Sequence, residues 1–332
     1  MKNWSVPVIA LATVVGIAMQ GPAQSQDGPK RPAPQKGTGF ITLGTTAGPQ
    51  PRKDRAQASN LLIVNGTNYL IDAGDGVARR IVQADVDFLD VGTVFITHNH
   101  SDHTAGLATL LNAQWEYERR EPTNVYGPPG TERLIKAAIQ YFTVNAEIRS
   151  TEGKLRPLST IFVGHDVAVG PVYQDANVKV TAVENSHYNF PEGSVYRSQH
   201  KSYSYRFETP DRVIVFTGDT GPSNAVAQLA KGADVLVSET IDADEVKQRR
   251  IANGSWQKMT PEAQTAWMKH ITDEHLTPEE VGKLAVQAGV KSVVLTHLPA
   301  TENKNNDDQK YAEKVKTIYK GPVTVAKDLM RF

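Results

Sequence analysis

The sequence predicts an α/β fold, an αββα sandwich of four layers, and three observations predict it. Short apolar runs of strand length recur in both halves of the chain, several with the two-residue alternation of a half-buried strand. Both halves place helices among these strands in a broadly similar element order, and such elements bury their apolar faces as sheets under outer helices. Metal-capable side chains stand where strands end, at one edge of such a sandwich.

The chain opens with Lys2 as the only charge before Asp27, an apolar run over residues 6–19, and the small residues Gly21-Pro22-Ala23. That is the layout of a signal peptide over residues 1–23, and the run is short for a membrane span. Export to the periplasm or medium is expected, with no span left after cleavage. Residues 24–38 lack an apolar period and read as a flexible linker. A single domain is expected over residues 39–332.

Phe40-Ile41-Thr42-Leu43 reads as the first strand, followed by a polar loop over 44–57 that either borders a site or is plain surface. The apolar runs at 61–64 and 69–72 flank Asn65-Gly66, a strong hairpin signal. Asp72-Ala73-Gly74-Asp75-Gly76 closes the second run in a tight turn, and a helix is expected over 77–84. Val94-Phe95-Ile96 is a buried strand. Residues 103–119 carry Leu107, Leu110, Leu111 and Trp115 on one helical face. A strand at 124–127, a helix over 131–146, and short strands near 161–163 and 167–169 complete the first half.

In the second half, strands are expected at 178–183, 202–207, 213–216, 235–237 and 293–295. Helices are expected over 224–231, much of 241–274, and after Thr277-Pro278-Glu279-Glu280, where threonine caps and proline with acids starts a helix. A last helix near 310–319 and strand near 323–327 close the chain.

Composition narrows the function. The chain has 332 residues, with 39% hydrophobic and 22% charged, enough for a real core. Its 36 basic residues balance 36 acidic ones, and loss of Lys2 takes the net charge from zero to −1. A protein that grips nucleic acid mainly through phosphates shows a basic excess, so no nucleic-acid partner is expected. Cysteine is absent, which excludes disulfides, thiolate ligands and cysteine nucleophiles.

The chemistry concentrates in His98-Asn99-His100-Ser101-Asp102-His103, which holds three of the nine histidines. Alternation puts His98 and His100 on one face, and Asp102 and His103 turn in at the following helix start. Imidazole with carboxylate is a ligand mix that suits zinc. His187, Asp219 and His297 follow later strands. Seven ligands suit two cations sharing one carboxylate. His98, His100 and His187 would hold the first ion and Asp102, His103 and His297 the second, with Asp219, between Gly218 and Gly221, bridging them. His165, His200 and His270 lack supporting patterns and read as surface or core residues.

This His-x-His-x-Asp-His motif, with a later lone histidine, a Gly-Asp-Thr and a final Thr-His, resembles the metallo-β-lactamase superfamily over about residues 39–332. Asp72 in Ile-Asp-Ala-Gly matches the aspartate that orients a ligand in that superfamily. Glu274-His275-Leu276-Thr277 and Ser238-Glu239-Thr240 resemble motifs of its ribonuclease Z and arylsulfatase-like branch. That likeness implies that Glu239 holds His275 and that His275 helps protonate the leaving group. The residue types agree, since a carboxylate that raises an imidazole's proton affinity makes a general acid.

The resemblance implies a dinuclear zinc hydrolase, with manganese or iron as substitutes, in which water between the cations attacks an electrophilic centre, and Asp102, His275 and Glu239 are the expected catalytic residues. The expected substrate is a small-molecule ester, an aryl sulfate or a phosphodiester. A β-lactam hydrolase, a ribonuclease Z-type phosphodiesterase and a non-catalytic zinc-binding protein are the alternatives, and a homodimer is compatible with the chain. The export signal, the neutral charge and the lack of a Gly-Pro-rich basic arm near 150–200 argue against tRNA processing. Trp256 and Trp267 are either core or an aromatic lid over the site.

Overall fold

Alternation within the strands decides the layering. The computed structural model describes residues 36–153, 156–299 and 308–332; the signal peptide and most of the linker expected above lie outside the described residues. Phe40, Leu62, Tyr69, Ile71 and Phe95 point to one side of the first sheet, and their neighbours Ile41, Leu61, Leu70 and Val94 point to the other. Ile214, Phe216, Val237 and Val294 split from Val215, Leu236, Val293 and Leu295 in the same way in the second sheet. Three apolar layers result, one between the sheets and one under the helices on each outer face, which is the αββα arrangement expected from the sequence.

The first sheet contains β1 (Thr38–Gly44), β2 (Ser59–Val64), β3 (Thr67–Ile71), β4 (Val91–Phe95), β5 (Thr123–Gly127), β6 (Phe162–Asp166) and β14 (Met330–Arg331), with β14 beside β1 and the rest in sequence order. The second contains β7 (Gly170–Gln174), β8 (Lys179–Glu184), β9 (Tyr203–Glu208), β10 (Val213–Phe216), β11 (Val235–Glu239), β12 (Val293–Thr296) and β13 (Val323–Val325), also in sequence order. Strands β3 to β6 run parallel, as do β10 to β13. β8 and β10 both run antiparallel to β9, so they point the same way. The carboxyl ends of β8, β10, β11 and β12 therefore share an edge. Between the sheets, Phe95 stands 5.2 Å from Phe207, edge to face, and 5.6 Å from Tyr126. Aromatic pairs of this kind add about 0.5–1.5 kcal/mol each beyond their burial.

The hairpin at Asn65-Gly66 forms as its residues dictate, with both at positive φ (51° and 85°). Other boundaries differ. The helix expected over 103–119 is broken into α2 (Ser101–Thr104) and α3 (Leu107–Glu116). The break lies where two backbones touch: Gly106 N–H donates to Ala73 O at 2.9 Å, and a Cβ on residue 106 would lie 2.3 Å from Gly74 O. The segment over 241–274 is two helices, α7 (Ala243–Ala252) and α8 (Pro261–Asp273), because Gly254 turns at φ 73° and Thr260 caps a new start before Pro261. The strand expected at 167–169 lies instead at β7, where the antiparallel register with β8 sets it. The helix from residue 131 runs on to Glu152 as α4 (Thr131–Glu152), and a short helix α5 (Val195–Gln199) and strand β14 had no expectation. Among the described residues no helix is long and apolar enough to cross a membrane.

Candidate metal centre and active-site cavity

The site is built from strand ends. His98, His100, Asp102 and His103 follow β4, Asp72 follows β3, His187 follows β8, Asp219 follows β10, Glu239 ends β11 and His297 follows β12. Placing these groups costs backbone freedom, since Asp72 (φ 59°) and His297 (φ 51°) both adopt the left-handed region that non-glycine residues avoid.

All seven residues expected to bind metal come together in two adjoining groups. His98, His100 and His187 form one, and Asp102, His103, Asp219 and His297 the other. In the first, His100 Nδ1 lies 3.1 Å from both His98 Nε2 and His187 Nε2. In the second, Asp219 Oδ1 lies 3.3 Å from His103 Nε2, and His297 Nε2 lies 3.3 Å from both Asp219 Oδ2 and Asp102 Oδ2. Ligand atoms about 2.0–2.1 Å from one tetrahedral ion stand roughly 3.3 Å apart, so these spacings suit co-ligands. Asp219 faces both groups, because its Oδ2 is also 3.9 Å from His98 Nε2 and 4.0 Å from His187 Nε2.

Hydrogen bonds on the far side of the His103 and His187 rings fix which nitrogen points inward. Asp72 Oδ2 lies 2.8 Å from His103 Nδ1, while Asp72 Oδ1 accepts from Thr97 N–H at 2.8 Å. His187 Nδ1 lies 2.9 Å from Glu274 O, which accepts a hydrogen bond from Nδ1–H and so leaves Nε2 unprotonated toward the cluster. Gly48 N–H donates to Asp102 Oδ2 at 2.8 Å, an approach that a Cβ on residue 48 would block. Except for His100, which is exposed, the seven are buried.

Electrostatics separate the two groups. Burial drives His98 and His187 well below the ordinary histidine value. Burial acts the same way on His103 and His297, but the Asp219 and Asp102 carboxylates, joined by Asp72 at His103, outweigh it and raise both. Asp219 is pushed up by burial and then held well below the carboxylate range by His297 and His103. His103 Nε2 and Asp219 Oδ1 are buried, close together and yet without a hydrogen-bond partner. Buried polar atoms are rarely left so, and a shared cation would satisfy both. The donor set, nitrogen and carboxylate oxygen without sulfur, can hold divalent metal.

Beside the second group, His275 Nδ1 lies 2.8 Å from Glu239 Oε2, and Glu239 Oε1 accepts from Thr220 N–H at 2.7 Å. Burial pulls His275 down, but the Glu239 carboxylate overrides it and the imidazole is raised to about 9. With Nδ1 held by Glu239, Nε2 is left for the cavity. That cavity, about 660 Å³, is lined by His100, Asp102, Asp219, His275 and His297 on its floor. Gly48 and Gln50 of the 44–57 loop form one wall, so that loop borders the site. Arg249, Arg250, Trp267 and His270 of the 241–274 segment form another. Arg249 hydrogen-bonds Gln50, and the Arg250 guanidinium lies 4.5 Å over the Trp267 ring. Of the two tryptophans, Trp267 lines the cavity and Trp256 braces it edge to face at 5.9 Å.

The sequence reading missed three residues here. His270, read as surface or core, lines this cavity and pairs with Glu274 at 2.7 Å. His200, read likewise, borders a second cavity together with Tyr188, whose ring lies 5.2 Å from His100. His165 does pack as a half-buried residue, stacked on Tyr126 at 4.6 Å. An i, i+4 spacing between His270 and Glu274 was the available signal; Tyr188 and His200 had none.

Comparison with known proteins agrees with this geometry. A profile described as "Beta-lactamase superfamily domain" matches residues 67–298. Ribonuclease Z from Mycobacterium bovis is 28% identical, over 88% of this chain and 96% of its own. Among solved structures, the metallo-beta-lactamase fold protein YhfI from Bacillus subtilis superposes with TM-score 0.64 at 18% identity, covering 90% of this chain and 99% of its own. The short form of human tRNase Z gives TM-score 0.60 at 20% identity, covering 89% and 98%. The ribonuclease relatives correct one expectation from composition, that no nucleic acid is a partner and the substrate is a small-molecule ester. Net charge averages over the whole surface, whereas Arg249 and Arg250 stand in the cavity itself. The chain belongs to the metallo-β-lactamase superfamily and is one of its hydrolases.

Proposed function

We propose that this chain is a phosphodiesterase of the ribonuclease Z type that works with two zinc ions, manganese or iron being the alternatives. The observation that carries this reading is the Asp219 carboxylate, set between the two ligand groups and next to the His275–Glu239 pair. Relatives named ribonuclease Z, aligned over 88% of the chain, favour a phosphodiester over an aryl sulfate.

His98, His100 and His187 would hold one ion, Asp102, His103 and His297 the other, and Asp219 both. When bound, the ions supply Lewis acidity toward the phosphoryl oxygens and acidify water into a nucleophile near neutral pH. The other roles belong to the chain. Asp72 holds His103 in one orientation, and Gly48 N–H holds Asp102. Arg249 and Arg250 line the cavity with positive charge for the phosphate. His275 carries a proton on Nε2 and delivers it to the leaving oxygen as the P–O bond breaks. Glu239 keeps its hydrogen bond to Nδ1 throughout.

Residues 1–23 would export this activity. N-terminal sequencing of the protein recovered from the periplasm or medium should begin after that segment. The activity test is a panel of an RNA with a 3′ trailer, a bis-aryl phosphate, an aryl sulfate and a chromogenic β-lactam, each with and without chelator. The two phosphodiesters should be cleaved and chelator should stop both. Turnover of the β-lactam or sulfate alone, or phosphodiester cleavage indifferent to chelator, would overturn the reading.

A further inference from the structure

The mechanism leaves a second cavity unused. It measures about 680 Å³ and shares His100 and His270 with the catalytic cavity, so one extended ligand crossing the metal centre enters both. Its walls carry aromatic rings in steps. Tyr188 lies 5.2 Å from His100 and 5.3 Å from Phe190. Phe190 lies 6.2 Å from His200, and just outside the lining Tyr196 stacks on His200 at 6.2 Å and lies 6.1 Å from Phe190. The rings lead from the candidate ligands to the surface, where Tyr196 is 57% exposed. Asn99 and Asn189 add amide donors and acceptors, Leu134 an apolar wall, and Arg133 of α4 an exposed guanidinium.

We propose that this cavity is a nucleobase subsite, which takes the unpaired nucleotide adjoining the scissile phosphate of an RNA strand by stacking its base against Phe190. The proposal rests on the phosphodiesterase reading above. Every base has a π face, so such a platform holds single strands with little regard for sequence. The volume lies in the range of small-molecule pockets, and the amides can meet base edges. Arg133 faces the same space with a charge suited to a flanking phosphate. Stacking also explains how a chain with no basic excess takes RNA, because affinity comes from rings more than from phosphate neutralisation.

The test uses the metal-loaded full-length chain, its Phe190→Ala variant, and two oligoribonucleotides. One is intact; the other carries an abasic residue beside the cleaved bond, placed on each side in turn. On one side, either change alone should lower kcat/KM about tenfold or more, and the two together should cost little beyond one. Phe190→Trp should recover most of the loss. Losses that multiply on both sides, no loss in Phe190→Ala, or no recovery in Phe190→Trp would overturn the subsite. If the wild type cleaves no RNA, the catalytic reading fails, and the subsite is judged by binding alone. Anisotropy of a labelled hexanucleotide, with chelator present, should then show at least a tenfold weaker Kd in Phe190→Ala, about the effect of losing one stacked base; equal Kd values would contradict the proposal.

Discussion

The two sheets contribute to the site in different ways. The first sends four candidate ligands from six consecutive residues after β4, braced by Asp72 at the neighbouring strand end. The second sends His187, Asp219 and His297 one at a time from three strand ends, with Glu239 from a fourth. One loop therefore sets the geometry of the first contribution, and it is tied down by Ala73 N–H donating to His103 O at 2.7 Å. The second depends on the strand register that brings β8, β10, β11 and β12 to one edge. The difference teaches where the centre is most vulnerable. A histidine can be lost from one group while the other stays whole, but Asp219, a member of the second group, also faces the first.

Asp219→Ala sharpens that contrast most. It should lower kcat for phosphodiester cleavage beyond about 10⁴-fold, because in the proposed two-ion centre one carboxylate would serve both ions. A loss no larger than that of His100→Ala would break the idea of a shared ligand.

His275→Ala comes next, with a loss of about 10²–10³-fold on a substrate whose leaving group is an alkoxide. The loss should shrink when the leaving group is a good one such as nitrophenolate, which needs no proton. An equal loss on both substrates would remove the proton-donor role.

Asp72→Ala touches only the first sheet's contribution. It should weaken metal binding about 10–100-fold by freeing the His103 ring, and excess metal should restore activity. Activity that stays lost at saturating metal would mean that Asp72 does more than orient His103.

Arg250→Ala on the cavity wall should act least, raising KM several-fold with kcat nearly constant, since its charge helps hold ground state and transition state alike. A fall in kcat with KM constant would place that guanidinium on the reacting phosphate instead.

The same contrast governs what the sequence made legible. Contiguous features could be read directly: the His98–His103 motif, the Asn65-Gly66 hairpin and the alternation of Phe40-Ile41 or Val94-Phe95 all report local chemistry. His187, Asp219 and His297 could be named because each follows a recognisable strand and because the motif resembles a known family. Features created only by folding were hidden. The break between α2 and α3 follows from Gly106 meeting Gly74, 32 residues away in sequence. The Gly48 bond to Asp102 spans 54 residues. Tyr188 and Phe190 sit in a stretch without period or motif, and their ladder exists only once α5 and His200 fold over it. Net charge misled for a related reason, since it carries no information about where charge stands.

The most direct test of the central claim is the metal content of the purified, extensively dialysed protein, measured by elemental mass spectrometry against protein concentration. The account predicts about two equivalents of divalent metal per chain. One equivalent or none, in a preparation that still cleaves phosphodiesters at full rate, would contradict it.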